Sequence, residues 1–196
     1  MIVMFFRYFI DVIRQQAILF RFQFKVFLKG GVCGKGIHLS HPELLFYDRL
    51  KIKSGFRIDF YPEFAGVKLP PPTLRIFDNV IIGYGFTALV ADKIQIGSNT
   101  ILASNVSLVS ENHGISVETD VPFYAQPLEI GPITIGEGCW IGQNVIVLPN
   151  VSIGEKTIIG ANSVVTKDIP SYSIAVGMPA KVIKRYSFEL HKWVKV

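Results

Sequence analysis

A six-residue period runs through most of this sequence, and it constrains the fold more strongly than any other feature. Written in sixes from four starting points, the chain has branched aliphatic residues at eleven of twelve first positions. These twelve positions are Ile76, Ile82, Ala88, Ile96, Leu102, Leu108, Ile135, Ile141, Val147, Ile153, Ile159 and Val165. An α-helix would instead show a 3.6-residue period with few glycine or asparagine residues. The pattern therefore predicts short strands that alternate with tight corners.

Asparagine is almost confined to the fourth position of these hexapeptides. The chain contains seven asparagines, and six of them occupy fourth positions: Asn79, Asn99, Asn105, Asn144, Asn150 and Asn162. Asparagine tolerates a left-handed backbone and bonds to its own turn, so it suits a tight corner. Three strands and three corners close a coil of about eighteen residues, and stacked coils bury a column of aliphatic side chains.

This pattern resembles the hexapeptide-repeat acyltransferases, including galactoside and maltose acetyltransferases and bacterial polysaccharide O-acetyltransferases. The resemblance implies an all-β fold, a left-handed parallel β-helix. We expect an N-terminal amphipathic, helical segment over residues 1–30, the β-helix domain over 31–183 and a basic tail over 184–196. Two excursions interrupt the coils, at about 59–73, where three prolines follow one another, and at about 109–132. Hydrophobic residues make up 49% of the chain and charged residues 18%, which suits a large core and argues against disorder.

His113 stands where the repeat breaks off. The stretch IGSNTILASNVSLVSENH, residues 96–113, resembles the coil that leads to the catalytic histidine of galactoside and maltose acetyltransferases. The resemblance implies that His113 is the general base, a role that typically contributes about 10²–10⁴-fold to the rate. It also implies that the backbone N–H of Gln143 donates a hydrogen bond to the oxyanion of the intermediate. Glu111 either orients the imidazole or is solvated, and we favour the solvated interpretation.

The closing coils predict how the acyl donor is held. The stretches IGANSVVTKDIP, residues 159–170, and VGMPAKVIKR, residues 176–185, resemble the family's closing signature. This implies acetyl-CoA in a groove between the subunits of a homotrimer, and no metal. Carried over by position, the cofactor-binding residues are Trp140, Gly142, Ala161, Thr166, Lys167, Ala180 and Lys181. Trp140 could instead cover a coil face, and Lys184 and Arg185 either approach the phosphates or form a solvated basic surface.

Acceptor recognition departs from the family pattern. Sugar-acetylating relatives often carry an asparagine on the coil before that of the histidine, but the matching stretch YGFTAL has none. Tyr84 and Thr87 are the candidate substrate residues there. We expect His38, His41 and His191 to be structural or exposed.

The predicted function is acetyl transfer from acetyl-CoA to a sugar hydroxyl, in the modification of a bacterial capsule, O-antigen or exopolysaccharide. Two alternatives share the scaffold: acetylation of an antibiotic of the chloramphenicol type, and N-acetylation of an amino sugar. A γ-type carbonic anhydrase would need three histidines at a zinc ion, and the clear repeats contain only His113. A non-catalytic β-helix scaffold is the remaining alternative, and no motif indicates nucleic-acid binding.

The first 29 residues are apolar and aromatic, with arginines at every seventh position: Arg7, Arg14 and Arg21. Charges interrupt the segment too often for a membrane-spanning helix. It caps the first coil or joins a trimer, or it lies on an anionic membrane surface. The two cysteines do not form a CxxC pair, which favours a reducing compartment. We therefore expect a cytoplasmic location, peripheral to the inner face of the membrane if the segment binds lipid.

Overall fold

Six coils of parallel β-strand follow a long N-terminal helix in the computed structural model, which describes the backbone of residues 2–196. Side chains are described from residue 12 onward, except at residue 14, so the predicted roles of Arg7 and Arg14 lie outside the described side chains. Helix α1 covers Ile2–Leu28. The first coil contains β1 (Val32–Cys33), β2 (His38–Leu39), a short 3₁₀ turn (Pro42–Leu44) and β3 (Leu45–Tyr47). The second coil contains β4 (Leu50–Ile52), β5 (Arg57–Phe60), a protruding hairpin of β6 (Glu63–Phe64) and β7 (Val67–Lys68), and then β8 (Thr73–Ile76).

The remaining coils follow the predicted repeat. The third coil contains β9 (Val80–Ile82), β10 (Thr87–Val90) and β11 (Lys93–Ile96), and the fourth contains β12 (Ile101–Leu102), β13 (Ser107–Val109), β14 (Glu111–His113), β15 (Leu128–Ile130) and β16 (Ile133–Ile135). The fifth coil contains β17 (Trp140–Ile141), β18 (Ile146–Val147) and β19 (Val151–Ile153), and the sixth contains β20 (Ile158–Ile159) and β21 (Val164–Val165). The chain ends with β22 (Ser173–Gly177), β23 (Ala180–Ser187) and β24 (Lys192–Lys195).

Most of these strands belong to three sheets, which form the sides of a prism. Sheet A has the order β1-β4-β9-β12-β17-β20-β22-β23-β24, sheet B the order β2-β5-β10-β13-β18-β21, and sheet C the order β19-β16-β11-β8-β3. Strands of successive coils pair in parallel and in register. We call the turns between sheets A and B the AB corner and those between sheets B and C the BC corner. The predicted parallel β-helix is confirmed.

The core is the aliphatic column that the period predicts. All twelve first-position residues of the hexapeptides are buried, with at most 1% of their surface exposed. In sheet A, for example, Ile82, Leu102, Ile141 and Ile159 occupy matching positions of four consecutive coils. Because each coil contributes only a few such residues, burial depends on the coils above and below it.

The six fourth-position asparagines all adopt a left-handed backbone, with φ between 56° and 61°. Their side chains form ladders along the corners. Asn105 donates to Asn144 over 3.0 Å, and Asn144 donates to Asn162 over 2.9 Å. The asparagines therefore serve both the backbone conformation and the stacking of the coils.

Helix α1 covers the open end of the first coil. Phe22 and Val26 are buried in the core, and Phe22 makes edge contacts with the rings of Tyr47 and Phe56 at 5.4 and 6.0 Å. The side-chain amide of Gln23 donates to the carbonyl oxygen of Gly34 over 3.0 Å. Within the part of the chain that the structure describes, no helix combines the length and apolarity needed to cross a membrane.

The structure differs from the sequence-based expectation at the C-terminus. The segment 184–196, expected to be a tail, contributes to β23 and β24, which extend sheet A with antiparallel pairing. The chain reverses after β22, and aromatic residues then pack edge to face, with Tyr186 against Phe188 at 5.2 Å and against Trp193 at 5.4 Å. The strand pairing and the aromatic contacts hold the segment against sheet A, and most of its residues are nevertheless exposed.

Replacing Asn144 with alanine tests the role of the asparagine ladder. The variant should lose about 2 kcal/mol of unfolding free energy, since alanine lacks asparagine's tolerance of the left-handed region, which costs other residues about 1–2 kcal/mol, and two hydrogen bonds are lost. Urea unfolding at fixed protein concentration measures the change. Asn144→Gly is the matched control, because it keeps the conformation and loses only the ladder, so its loss should be smaller. An alanine variant as stable as the parent would contradict the role.

Candidate active site

His113 lies on a hairpin that leaves the fourth coil at the BC corner. Ser110, fully buried, fixes the point of departure: its Oγ accepts a hydrogen bond from the backbone N–H of Ala91 over 2.8 Å and donates to the carbonyl of Leu89 over 3.1 Å. The chain then forms β14, which pairs antiparallel with β15 and sets His113 opposite Leu128. The imidazole is exposed and anchored at the base of the excursion.

A buried glutamine holds the rest of the excursion together. Gln126 is only 3% exposed. Its Oε1 accepts from the N–H of Ser116, and its Nε2 donates to the carbonyls of Ser116 and Val121, each over 2.9 Å. The loop between β14 and β15 is therefore ordered by its own polar contacts, and no local sequence pattern predicts them.

This loop forms an open pocket of about 670 Å³ beside His113. The pocket wall is mostly apolar or aromatic at the loop tip, and its lining residues are His113, Ser116, Val117, Thr119, Asp120, Val121, Pro122, Phe123 and Tyr124. Val117 and Tyr124 are among the most exposed apolar side chains of the chain, at 85% and 73%. A surface of this kind beside a functional group suits a bound ligand or a partner.

The first excursion also reaches His113. The hairpin of β6 and β7 leaves the second coil at the same BC corner, and it brings the ring of Phe64 to 5.3 Å from the imidazole, centroid to centroid. Sequence analysis predicted this excursion but no contact with the histidine. The sequence feature that could have indicated this contact is the register of the repeat. Ile58, Ala88 and Leu108 occupy one column of sheet B, and each excursion begins shortly after its residue of that column.

Titratable side chains gather beneath the two excursions. Burial raises the pKa of Glu111, and the neighbouring His113 opposes that shift. Burial also raises the pKa of Tyr61, with further contributions from the negative charges of Asp59 and Glu111. Glu111 is thus half-buried beside His113, which corrects the expectation of a solvated carboxylate.

Asp59 is buried beneath this group and contacts the side chains of His38 and Arg57. Its Oδ1 lies 2.7 Å from His38 Nε2, and its Oδ2 accepts from Arg57 Nε over 2.5 Å. His38 thus has a structural contact, as expected. His191 is exposed, and His41 is partly buried, with its Nδ1 3.1 Å from Glu43 Oε1.

The residues predicted to hold the donor and the oxyanion lie mainly elsewhere. Trp140 stands on the outer face of sheet A, between Ile101 and Ile158 of the adjacent coils. Gly142 and Gln143 follow at the AB corner. A Cβ on Gly142 would meet the backbone of residues 159–161 at 2.7 Å, so only glycine fits there.

The other predicted residues divide between the corners. Ala161 and Tyr84 lie at the AB corner, and Thr87 begins the sheet B strand β10. Neither Tyr84 nor Thr87 lines the pocket at His113. Thr166 and Lys167 are exposed at the BC corner, two coils beyond His113. Ala180 and Lys181 begin β23, where Lys181 pairs with Val176 and Lys184 with Ile174.

Within one chain, the predicted base and the predicted oxyanion donor therefore lie far apart. Gln143 precedes sheet B and His113 follows it, so the width of that sheet lies between them, roughly 15 Å for five extended residues. Among the residues that the structure describes, no group of three or more His, Cys, Asp or Glu side chains is placed to hold a metal ion.

Comparison with known proteins shows which families this chain is similar to. Residues 132–167 match the family model described as bacterial transferase hexapeptide (six repeats). The chain is 36% identical over 124 residues to the putative lipopolysaccharide biosynthesis O-acetyl transferase WbbJ of Escherichia coli, covering 60% of this chain and 63% of that protein. It is 38% identical over 123 residues to the galactoside O-acetyltransferase of the same organism, covering 59% and 58%.

Among solved structures, the chain is similar to AntD, an N-acyltransferase from Bacillus cereus in complex with dTDP and 3-hydroxybutyryl-CoA. The TM-score is 0.64 at 17% identity, over 82% of this chain and 81% of that one. The chain spans about six-tenths of the length of the WbbJ protein and of the galactoside O-acetyltransferase. The left-handed β-helix and the resemblance to the hexapeptide-repeat acyltransferases are confirmed.

The pKa shift of Glu111 predicts a pH-dependent stability. Because the pKa of Glu111 is raised in the folded chain, its protonated form favours folding. This contribution is fully present at pH values below the ordinary pKa of a glutamate, and it is lost as the pH rises through the raised pKa. The variant Glu111→Gln carries no such charge. Its unfolding free energy relative to the parent should therefore increase as the pH rises through the raised pKa of Glu111.

Urea unfolding at several pH values measures that difference. Glu118→Gln, a change at an exposed carboxylate of the same excursion, is the matched control and should give a flatter profile. A Glu111→Gln difference that is independent of pH would contradict the burial of the charge.

Proposed function

We propose that this protein is a coenzyme A-dependent O-acetyltransferase that acts on sugar hydroxyls, with His113 as the general base. The observation that carries the proposal is the position of His113, at the base of an ordered excursion and facing a pocket. The WbbJ relative and the galactoside O-acetyltransferase are both named as O-acetyltransferases, which supports the reaction class. The acyl-CoA ligand of the structural neighbour is in keeping with a thioester donor.

The chemistry needs a base of this kind. As the acceptor oxygen attacks the thioester carbonyl, the hydroxyl proton passes to the imidazole of His113. The tetrahedral intermediate then collapses, the carbon–sulfur bond breaks, and the coenzyme A thiolate takes up the proton. Glu111 lies close enough to stabilise the imidazolium form of His113 electrostatically, and Phe64 limits the ring's movement. We propose both as positioning residues.

We propose that the complete site lies between two subunits of a homotrimer. Gln143 and Trp140 of one chain are separated from His113 of the same chain by sheet B, so a single chain cannot direct all three at one thioester. A second copy could bring its AB corner to the BC corner of the first. The outer face of sheet A carries the exposed apolar residues Ile101 and Trp140, which suit such a contact. Lys167 and Lys181 would then supply positive charge for the donor's phosphates.

We also propose that the acceptor is a sugar of a surface glycan and that the protein is cytoplasmic. The aromatic rings Phe123 and Tyr124 beside His113 suit the apolar face of a sugar ring. The name of the WbbJ relative points toward a surface glycan. Cys33 and Cys139 are both free cysteines, which fits a reducing cytoplasm. An amino-sugar or antibiotic acceptor would use the same base and would appear in an acceptor screen.

The variant His113→Ala tests the base. Acetyl transfer to a responsive sugar acceptor, measured as thiol release from acetyl-CoA, should fall by about 10²–10⁴-fold, while coenzyme A binding measured by calorimetry should be unchanged. His41→Ala, a change at a partly buried histidine of the first coil that does not line the pocket, is the control. Retained turnover in His113→Ala would contradict the proposal, as would zinc-dependent hydration of carbon dioxide without any acetyl transfer.

Mixed oligomers test whether the site is shared. We expect His113→Ala and Trp140→Ala each to lose most activity, whereas trimers reassembled from equal amounts of both should recover about a quarter of the parent sites. That fraction follows because one interface in four pairs an intact His113 with an intact Trp140. Assembly of each variant alone is the control. If the mixture recovers nothing, each site lies within a single chain.

A further inference from the structure

Helix α1 carries two apolar faces, and only one of them is used by the fold. Leu19, Phe22 and Val26 pack against the first coil. At 100° per residue, Phe20 and Phe24 lie on the opposite side of the helix. Phe20 is 69% exposed and Phe24 52%, and their rings stack at 6.3 Å with planes 8° apart.

The exposed face is long and continuous. Ile13 lies two turns before Phe20 on the same side and is more than half exposed, and Phe27 and Leu28 continue the face to the end of the helix. Exposure of such a face to water is unfavourable, and burying each of its large side chains would recover hydrophobic free energy. A single exposed phenylalanine needs no explanation, but an aligned row of them does.

Basic side chains border this face on one flank. Arg21 and Lys25 are exposed between the buried and the exposed apolar faces. Lys25 and Lys29 also line a pocket of about 550 Å³ together with Arg75 and the half-exposed ring of Phe46. Asp48 is the acidic side chain in that lining, so positive charge predominates there.

We propose that this surface, the exposed face of α1 with its basic flank and adjoining pocket, docks the protein on an anionic phospholipid bilayer. The aromatic row would enter the interface between headgroups and acyl chains, with the helix axis parallel to the membrane plane. Arg21 and Lys25 have long side chains that reach the headgroup level from a partly immersed helix. The pocket of Lys25, Lys29 and Arg75 suits a lipid phosphate.

Charge favours a membrane over a second copy of the chain as the occupant. Two such faces packed together would bury the phenylalanines but would bring the Arg21 and Lys25 side chains of both copies near one another. An anionic bilayer satisfies both features at once, since each Lys or Arg near its surface contributes about 1 kcal/mol. The proposal does not depend on the acetyltransferase assignment, and docking would hold whichever reaction the site catalyses.

Vesicle flotation of the full chain tests the proposal. The protein should float with vesicles that contain phosphatidylglycerol and remain unbound with pure phosphatidylcholine. Arg21→Gln/Lys25→Gln should weaken binding about 25-fold, because each lost cation removes about fivefold. Phe20→Ser/Phe24→Ser should weaken it at least tenfold for each ring removed. Lys192→Gln/Lys195→Gln, at the opposite end of the chain, is the matched charge control and should bind as the parent does.

Thermal unfolding of each variant establishes that it is folded, and light scattering gives its oligomeric state. Flotation that is absent, that is equal on both kinds of vesicle, or that survives in both helix variants would overturn the proposal. So would an oligomer that dissociates on Phe20→Ser/Phe24→Ser while the parent binds no vesicles, because the face would then be a contact between copies. Acetyl transfer to a soluble acceptor, measured in parallel, keeps a failure of docking distinct from a failure of the reaction.

Discussion

Each coil of this β-helix must place its corners directly over those of the coil before it, because one coil alone buries almost none of its aliphatic residues. Two residue types make that superposition possible. Asparagine holds the left-handed turn and bonds to the asparagine of the next coil, as Asn105, Asn144 and Asn162 do. Glycine permits backbones to approach, as at Gly97, where a Cβ would meet the next coil at 2.6 Å. The column of buried aliphatic residues and the position of the functional corners both follow from this stacking.

The same stacking explains where the site can form. A coil tolerates an insertion only at a corner, since an extra residue within a strand would shift every side chain beyond it to the opposite face. Both excursions leave at the BC corner, from the second and the fourth coil, and the third coil between them carries only a short turn at Ala91 and Asp92. Phe64 and His113 therefore meet above that turn. Because Ala91 is small and buried, Tyr61 and Glu111 can influence one another across it.

The sequence predicted most of the repeat and only part of the site. The six-residue period and the asparagine positions reflect local backbone geometry, and the residue types at each position indicate that geometry directly. The coils from residue 74 onward therefore follow the prediction. The direction of the Phe64 hairpin and the burial of Glu111 depend on contacts between segments 50 residues apart, which no local pattern encodes. The C-terminal strands are an intermediate case. Side chains of β23 alternate in exposure with the period of a strand, but the frequent lysines favoured a solvated segment.

The two ends of the solenoid face the same physical problem and meet it differently. At the C-terminus, β23 and β24 pair with the last strand of sheet A and cover its edge with lysines and aromatic contacts, which protects an edge against further strand pairing. At the N-terminus a helix covers the core instead. A cap needs only one apolar face, and Leu19, Phe22 and Val26 already provide it. The phenylalanines on the opposite side of α1 therefore have no role in closing the coil, and a second surface must account for them.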